Sequence, residues 1–351
     1  MFILYDCVQT LAEHVGSGLA REDLVGMLMP ALIVRWRKVS DQSRELFPLL
    51  ECLSYVATAL GDEFAPFAPP VFTRCIKIIH HNLEEYMVAM NNPIMDAPDK
   101  DFLVTSLDLL SAVIQALDSP KSAELVSGSQ PRFFELLAFC MEDPTHDVRQ
   151  SAYALLGDSA RYVFPQLQPY LPHIMPILIQ QLDLSLIMAE QIENGFSVVN
   201  NACWSSGEIA LQHGKNMEPF ISSLFQRLLD IMGNPEVPRS VIENAAIALG
   251  RLGLENSETL APHLATFADQ FLTAMGTVDY SDEKASAFQG FVMIVGRNPQ
   301  AMERVLVQFF TAISRDCASP TDVQNRTDLK SQNQLSHDLH VLFQQVIKLH
   351  F

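Results

Sequence analysis

A stripe of aromatic, amide and acidic side chains, spaced by four residues, runs through segment 194–213. Its members are Phe196, Asn200, Trp204 and Glu208. Residues four apart lie on one face of a helix, and the small or apolar residues Val198, Ala202 and Ile209 lie on the other face. An indole can stack on a guanidinium, and an amide both donates and accepts hydrogen bonds. The stripe predicts a binding face for an extended peptide, with packing of Trp204 against a neighbouring helix pair as the alternative.

Three further outward-facing residues lie on neighbouring helical segments. Asp108 and Asp158 point away from the apolar faces of their segments, and Ile247 lies outside the apolar arc of segment 239–253. Carboxylates form charge-assisted hydrogen bonds with lysine and arginine. Together with Trp204, these residues predict a groove for a chain that carries both positive and apolar side chains. An ordinary solvated surface is the alternative for each aspartate.

The elements that must position these residues are repeated helical hairpins. An Ala-x4-Gly sequence followed by a charged residue occurs as AYALLGD, ACWSSGE and AAIALGR, and a degenerate copy, AFQGFVM, follows. Gly157, Gly207 and Gly250 are consequently 50 and 43 residues apart. Repeats of about 40–47 residues, each with two helices, are typical of HEAT solenoids. The predicted fold is therefore an all-α HEAT-repeat solenoid of about seven hairpins, whose second helices line the inner surface.

Helical periodicity predicts the boundaries of these hairpins. The predicted pairs are 23–39 with 43–60, 69–90 with 99–117, 131–142 with 147–163, 171–182 with 194–213, 217–232 with 239–253, and 258–275 with 282–296. Segment 2–16 is predicted to be the second helix of an earlier repeat, and segment 299–315 is predicted to start a seventh hairpin. Residues 1–315 thus predict one solenoid. Residues 316–351 are polar and are predicted to form a linker, with room for a short helix at its end.

Composition narrows the classes of function. The chain of 351 residues has 23 basic and 41 acidic residues, hence a formal charge of −18, and it is 48% hydrophobic. This acidity disfavours direct nucleic-acid binding, which needs a basic surface, and it favours cationic partners. The sequence has no catalytic, phosphate-binding or metal-binding motif, so it predicts neither an enzyme nor a cofactor or metal.

Cysteine usage and hydropathy bear on the compartment. The six cysteines are scattered without metal-ligand spacing, which predicts buried, reduced thiols. The longest uncharged stretch, 162–182, contains four prolines. The sequence therefore predicts no insertion into a membrane.

Several motifs resemble one family. They are LFPLLECLSYVATAL at 46–60, PDKDF at 98–102, VRQSAYALLGD at 148–158, NNACW at 200–204, GEI at 207–209 and ENAAIALGRLG at 243–253. On these residues the chain resembles the transportins, the karyopherin-beta nuclear import receptors for proline-tyrosine localisation signals. The resemblance extends from about residue 2 to residue 300. It implies the C-terminal, cargo-binding arch of such a solenoid.

The resemblance also implies a binding site and partners. The subsite for the N-terminal hydrophobic or basic epitope of the signal corresponds to Val104, Asp108, Asp158, Phe196, Asn200, Trp204 and Ile247. The implied partners are cargo proteins with proline-tyrosine signals and, for the full-length family, the Ran GTPase and nucleoporins, although the Ran-binding half is not recognisable here. Such a receptor shuttles between cytoplasm and nucleus through the nuclear pore. The alternative function is a generic HEAT scaffold that organises a multi-protein complex through its turns or convex face.

Overall fold

The computed structural model describes residues 2–92, 94–188, 192–279 and 281–317. These residues form α-helices, 3-10 turns and loops, without a β-strand, so the predicted all-α class is confirmed. The chain divides into two compact units, Met1–Ile177 (unit 1) and Leu178–Phe351 (unit 2). Most of the predicted linker and the terminal helix lie outside the described residues, and the domain boundary after residue 315 stays a prediction.

Unit 1 is a series of helical hairpins. In chain order its helices are α1 (Phe2–Val15), α2 (Glu22–Lys38), α3 (Leu46–Leu60), α4 (Ala68–Met90), α5 (Asp101–Ala116), α6 (Ser119–Ser127), α7 (Phe133–Met141), α8 (His146–Tyr162) and α9 (Phe164–Leu167). The next helix, α10 (Leu171–Gln181), crosses the boundary between the units. The pairs α2–α3, α4–α5 and α7–α8 are the predicted hairpins, and their ends lie within three residues of the predicted ends.

Unit 2 continues the same alternation of first and second helices. Its helices are α11 (Leu184–Met188), α12 (Ile192–His213), α13 (Glu218–Gly233), α14 (Arg239–Leu260), α15 (Leu264–Met275), α16 (Asp282–Arg297) and α17 (Leu306–Cys317). In segment 299–315, predicted as the start of a seventh hairpin, Pro299–Met302 forms a 3-10 turn and the helix begins at Leu306.

The boundary between α14 and α15 also differs from the predicted one. The first helix predicted for 258–275 begins at Leu264, and residues up to Leu260 belong to α14. Asn256 lies inside α14 with non-helical angles (φ −123°, ψ 28°). Its amide Nδ2 donates to the carbonyl of Gly214 (3.1 Å). A side-chain hydrogen bond thus accompanies a kink within the helix, and a kink need not end a helix.

The second helices of each unit pack against one another side by side. We call α1, α3, α5 and α8 the second-helix layer of unit 1, and α12, α14 and α16 the second-helix layer of unit 2. The core-facing residues predicted for α12, among them Val198, Ala202 and Ile209, are completely buried. In unit 2, Phe271 of α15 stacks on Phe291 of α16 with ring centroids 4.2 Å apart. Each layer is therefore fixed by the apolar core beneath it.

Short 3-10 turns connect several second helices to the next first helix. They are Gly16–Ala20, Gly61–Phe64, Gln168–Tyr170, Gly214–Met217, Ala261–His263 and Pro299–Met302. Gly61 and Gly214 have positive φ angles (55° and 56°), which glycine adopts without steric cost. The sequence did not predict α6, which is short and begins after an N-cap in which Asp118 accepts from Lys121 N (3.0 Å).

Four of the six cysteines agree with the predicted buried state. Cys52, Cys75, Cys140 and Cys203 are buried free thiols, whereas Cys7 is exposed. Burial raises the pKa of the Cys75 thiol to about 12, so this group stays protonated at neutral pH. Within the described residues, no helix combines the length and apolarity needed to cross a lipid bilayer.

Candidate functional site

Trp204 lies on α12 and is only half-buried. Its indole Nε1 donates a hydrogen bond of 3.0 Å to Oε1 of Glu283 on α16. Because α14 packs between α12 and α16, the indole ring extends across α14. The ring is thus held by a neighbouring repeat, as the packing alternative expected, while part of its surface stays open to solvent.

A buried ion pair lies beside this indole. Arg251 of α14 contacts Glu208 of α12 (Nη1 to Oε1, 2.7 Å), and their side chains are only 3% and 2% exposed. Arg251 Nε also donates to Ser286 Oγ (3.0 Å), and its Nη2 lies 4.0 Å from Glu283 Oε1. The prediction that Glu208 lies on a solvent-facing stripe is wrong, because the guanidinium of the next helix covers the carboxylate and neutralises its charge.

Glycines allow the three helices of this layer to approach closely. A Cβ at Gly207 would meet Ala248 Cα at 3.3 Å, and a Cβ at Gly250 would meet Ala287 Cα at 2.8 Å. A Cβ at Gly290 would overlap the carbonyl of Gly250. These short helix-to-helix distances explain how the Trp204 side chain reaches a residue of α16.

The remaining predicted residues of unit 2 are more deeply buried than predicted. Phe196 is 7% exposed and Ile247 is 5% exposed. Asn200 is half-buried, and its Oδ1 accepts from Asn244 Nδ2 (3.0 Å). In this amide orientation the NH2 group of Asn200 is the one that can donate to a ligand. Trp204 and Asn200 are therefore the more accessible members of the predicted set in unit 2.

In unit 1, Asp108 of α5 has the predicted orientation. Its side chain is exposed, and Val104, one turn earlier, is half-buried. Desolvation by the surrounding helices raises the pKa of Asp108, the nearby carboxylate of Glu51 raises this pKa further, and a hydrogen bond with Ser151 opposes the shift. Asp108 is thus in contact with water but surrounded by protein, as in a recess of the second-helix layer.

Asp158 has a different environment from the predicted one. The residue is 6% exposed. Its Oδ2 accepts hydrogen bonds from the Ser111 hydroxyl and from Gln115 Nε2, the latter at 2.9 Å. The predicted outward orientation is wrong because α5 packs against α8 and covers this carboxylate. Asp158 therefore joins the two helices.

Several acids of the same layer were not among the predicted residues. Asp6 on α1, Glu51 on α3 and Asp101 on α5 are exposed. Desolvation raises the pKa of Glu51, and the negative charges of Asp6 and Asp101 raise it further. A sequence signal exists for Glu51, because on a helical projection it lies opposite the buried Leu49 and Leu53. The predicted outward faces began only with α5, so they omitted this acid of α3.

Neither unit shows the groups needed for metal chemistry in its described part. In the described ranges, His, Cys, Asp and Glu side chains form no group of three or more that could hold a metal ion. The second-helix layer of unit 1 offers exposed carboxylates, and that of unit 2 offers an indole and an amide. Taken separately, the carboxylates can bind a cationic side chain by charge, and the indole and amide can bind a peptide by stacking and hydrogen bonding.

Known proteins match most of this chain. Importin subunit beta-2 of Schizosaccharomyces pombe is 42% identical over 314 residues, which are 90% of this chain and 34% of that protein. Transportin-1 of Homo sapiens is 38% identical over 315 residues, again 90% of this chain and 34% of that protein. The chain thus spans about a third of the length of these relatives. No family model matches the sequence.

Solved structures show which fold the chain shares. The Kap95:Nup1 complex gives a TM-score of 0.58 at 12% identity, covering 97% of this chain and 37% of that chain. A structure of importin beta gives 0.53 at 16% identity, covering 93% and 39%. The predicted HEAT-repeat class is confirmed by this likeness to karyopherins. Karyopherins, and not enzymes, are the proteins that these matches name.

Proposed function

Because the sequence matches assign this chain to the importin beta-2 and transportin family of karyopherins, we propose that its second-helix layers bind nuclear import cargo. The ligand is the N-terminal hydrophobic or basic epitope of a proline-tyrosine localisation signal. Of the predicted residues, Asp108, Asn200 and Trp204 make the first contacts, because they are the exposed or half-buried ones with polar or stacking groups. Val104, Asp158, Phe196 and Ile247 shape the surface around them.

The observation that carries this proposal is the unbalanced acidity of the unit 1 layer. Asp6, Glu51, Asp101 and Asp108 are exposed. Among the described residues, no basic group contributes to the raised pKa of Glu51 or of Asp108. A lysine or arginine of a ligand supplies the missing positive charge and favours the ionised carboxylates.

The unit 2 layer supports stacking and backbone contacts with the epitope. The half-buried indole of Trp204 offers a flat surface for aliphatic or cationic side chains. The amide of Asn200 provides a hydrogen-bond donor for a peptide backbone, whatever the peptide sequence. A ligand with alternating basic and apolar residues suits these groups.

The proposal extends to partners and localisation through the relatives. The matched proteins are about three times as long as this chain, and one similar karyopherin structure is a complex with Nup1. We assign to the longer receptor the binding of the Ran GTPase and of nucleoporins, and the movement between cytoplasm and nucleus. This chain supplies a cargo-binding segment.

Peptide binding tests the proposal. A labelled peptide with a basic and hydrophobic segment upstream of Arg-x-x-Pro-Tyr is titrated with the chain at low salt, and fluorescence anisotropy reports binding. Trp204→Ala removes a stacking surface and should weaken binding by about 1–2 kcal/mol, roughly 5- to 30-fold. Asp108→Lys should weaken binding by about 1 kcal/mol, and this loss should shrink as salt is added.

A matched control separates the second-helix layer from the rest of the surface. Glu84→Lys makes the same change of charge on α4, a first helix, where the side chain is 62% exposed. This variant should bind the peptide like the unmodified chain. Equal losses in Asp108→Lys and Glu84→Lys would indicate non-specific electrostatics. Unchanged affinity in both Trp204→Ala and Asp108→Lys would favour the scaffold alternative.

A further inference from the structure

We propose that Glu283 is a positioning and specificity residue, which fixes the Trp204 indole and biases its open surface toward cationic side chains. The proposal rests on the hydrogen bond from Trp204 Nε1 to Glu283 Oε1 (3.0 Å). The inference that the ring prefers a cation also rests on the proposed function. The inference that Glu283 orients the ring does not.

The hydrogen bond restricts the half-buried Trp204 ring. Indole has a single hydrogen-bond donor, Nε1–H. Trp204 lies on α12 and Glu283 lies on α16, so the bond ties the ring to another repeat across α14. A half-buried ring without this bond can change rotamer more easily, and a ligand that stacks on it must then order it at an entropic cost.

Glu283 is itself held in place by the helices around it. It lies in the first turn of α16, whose N-terminus is capped by Ser281 Oγ accepting from Lys284 N (3.2 Å). Arg251 is bonded to Ser286 Oγ and to the buried Glu208, and its Nη2 lies 4.0 Å from Glu283. The acceptor for the indole is therefore pre-organised and does not depend on the ligand.

The charge of Glu283 has a consequence for the ligand. Arg251 lies 2.7 Å from Glu208 but 4.0 Å from Glu283, so its positive charge is closer to Glu208. The Glu283 carboxylate is 32% exposed and accepts from the indole. A negative charge at the indole edge strengthens the attraction between the ring face and a guanidinium or ammonium group. A neutral aliphatic side chain gains nothing from that charge.

Two substitutions separate orientation from charge. Glu283→Gln keeps an oxygen acceptor for the indole but removes the charge, and Glu283→Ala removes both. In NMR spectra of chain with 15N-labelled tryptophan, two indole N–H signals are expected, and Trp204→Phe assigns one of them. Glu283→Ala should shift the Trp204 signal and speed its hydrogen exchange, whereas Glu283→Gln should retain most of its protection.

Binding of two peptides then reads the specificity. Glu283→Gln should weaken the binding of a peptide with arginine at the stacking position by about three- to fivefold. It should leave the affinity for a peptide with norleucine at that position unchanged. Both effects should vanish in a Trp204→Ala background. Glu258→Gln is the control, because Glu258 lies on α14 in the same unit, is 78% exposed and pairs with Arg297 (3.1 Å).

The outcomes distinguish this inference from the proposed function. An unchanged Trp204 signal in Glu283→Ala would overturn the positioning role. Equal losses for both peptides in Glu283→Gln would overturn the specificity role. If the unmodified chain bound neither peptide while the NMR changes occurred, the positioning role would stand and the proposed cargo binding would fail.

Discussion

Two sets of carboxylates, one in the second-helix layer of each unit, have opposite environments. In unit 1, Glu51 and Asp108 are exposed, and desolvation together with neighbouring acids raises the pKa of each. In unit 2, Glu208 is buried against Arg251 at 2.7 Å. The same type of helix layer therefore carries repelling charges in one unit and a paired charge in the other.

Burial accounts for the difference. A carboxylate removed from water needs a cation or several hydrogen-bond donors, because its desolvation is costly. Carboxylates that stay in contact with water keep part of their hydration, so they remain without a buried cation at a smaller cost. The paired Glu208 therefore joins α12 to α14. The clustered, exposed acids Glu51 and Asp108 can instead bind a cation of a ligand.

The largest expected effect is a loss of stability when the buried Glu208 carboxylate of unit 2 loses its cation. Arg251→Met should leave the Glu208 carboxylate buried without its cation, and it should lower the free energy of unfolding by about 3–5 kcal/mol. Chemical denaturation followed by circular dichroism measures this change. Arg297→Gln removes an exposed pair with Glu258 and should cost less than about 1 kcal/mol. Similar losses in the two variants would show that the Arg251 pair behaves like a surface pair.

The second-largest expected effect concerns the close packing of α14 against α16 in unit 2. Gly290→Ala places a Cβ against the Gly250 carbonyl, so α14 and α16 must separate. The expected loss is about 1–3 kcal/mol, accompanied by a weaker Trp204–Glu283 bond. Gly26→Ala is the matched control, since no atom lies within 4 Å of a Cβ at this exposed position in α2. It should be neutral or stabilising by up to about 1 kcal/mol. A stable Gly290→Ala variant would contradict the close packing.

Much of the fold followed from the sequence because its signals are local. Helix ends in unit 1 lie within three residues of the predicted ends, since apolar periodicity and turn residues act over a few positions. The extension of α14 to Leu260 was not predicted, because a kink at Asn256 depends on a hydrogen bond to Gly214, 42 residues earlier.

The candidate site was predicted less completely for the same physical reason. A helical projection shows which side of a helix faces its own core, and this was enough for Asp108. It does not show how far the next second helix covers a residue, so Asp158 and Glu208 were assigned to solvent although both are buried. Arg251 of the following repeat neutralises Glu208, and such a long-range pair has no signature within one helix.

The smallest expected effect concerns the clustered acids of unit 1. The pKa values of Glu51 and Asp108 are raised in the folded chain above their ordinary values of 4.5 and 3.8, so their ionisation weakens the folded state. The double variant Glu51→Gln, Asp108→Asn should therefore be more stable than the unmodified chain at pH 7 and low salt, by about 0.5 kcal/mol. This advantage should shrink as the pH falls through the raised pKa values, and it should vanish only below the ordinary values of 4.5 and 3.8, because both groups are then neutral in the folded and in the unfolded chain.

Denaturant unfolding at pH 7 and at a pH below these ordinary values, with and without added salt, measures this linkage. Salt should reduce the advantage at pH 7, since screening weakens repulsion between exposed charges. Glu258→Gln provides the opposite case, because it removes an acid that is paired with Arg297 and should slightly destabilise unit 2 at pH 7. A double variant that is less stable than the unmodified chain at pH 7 would show that the unit 1 acids are compensated within the protein. The contrast between the two layers would then be lost, and with it the physical reason for a cationic ligand.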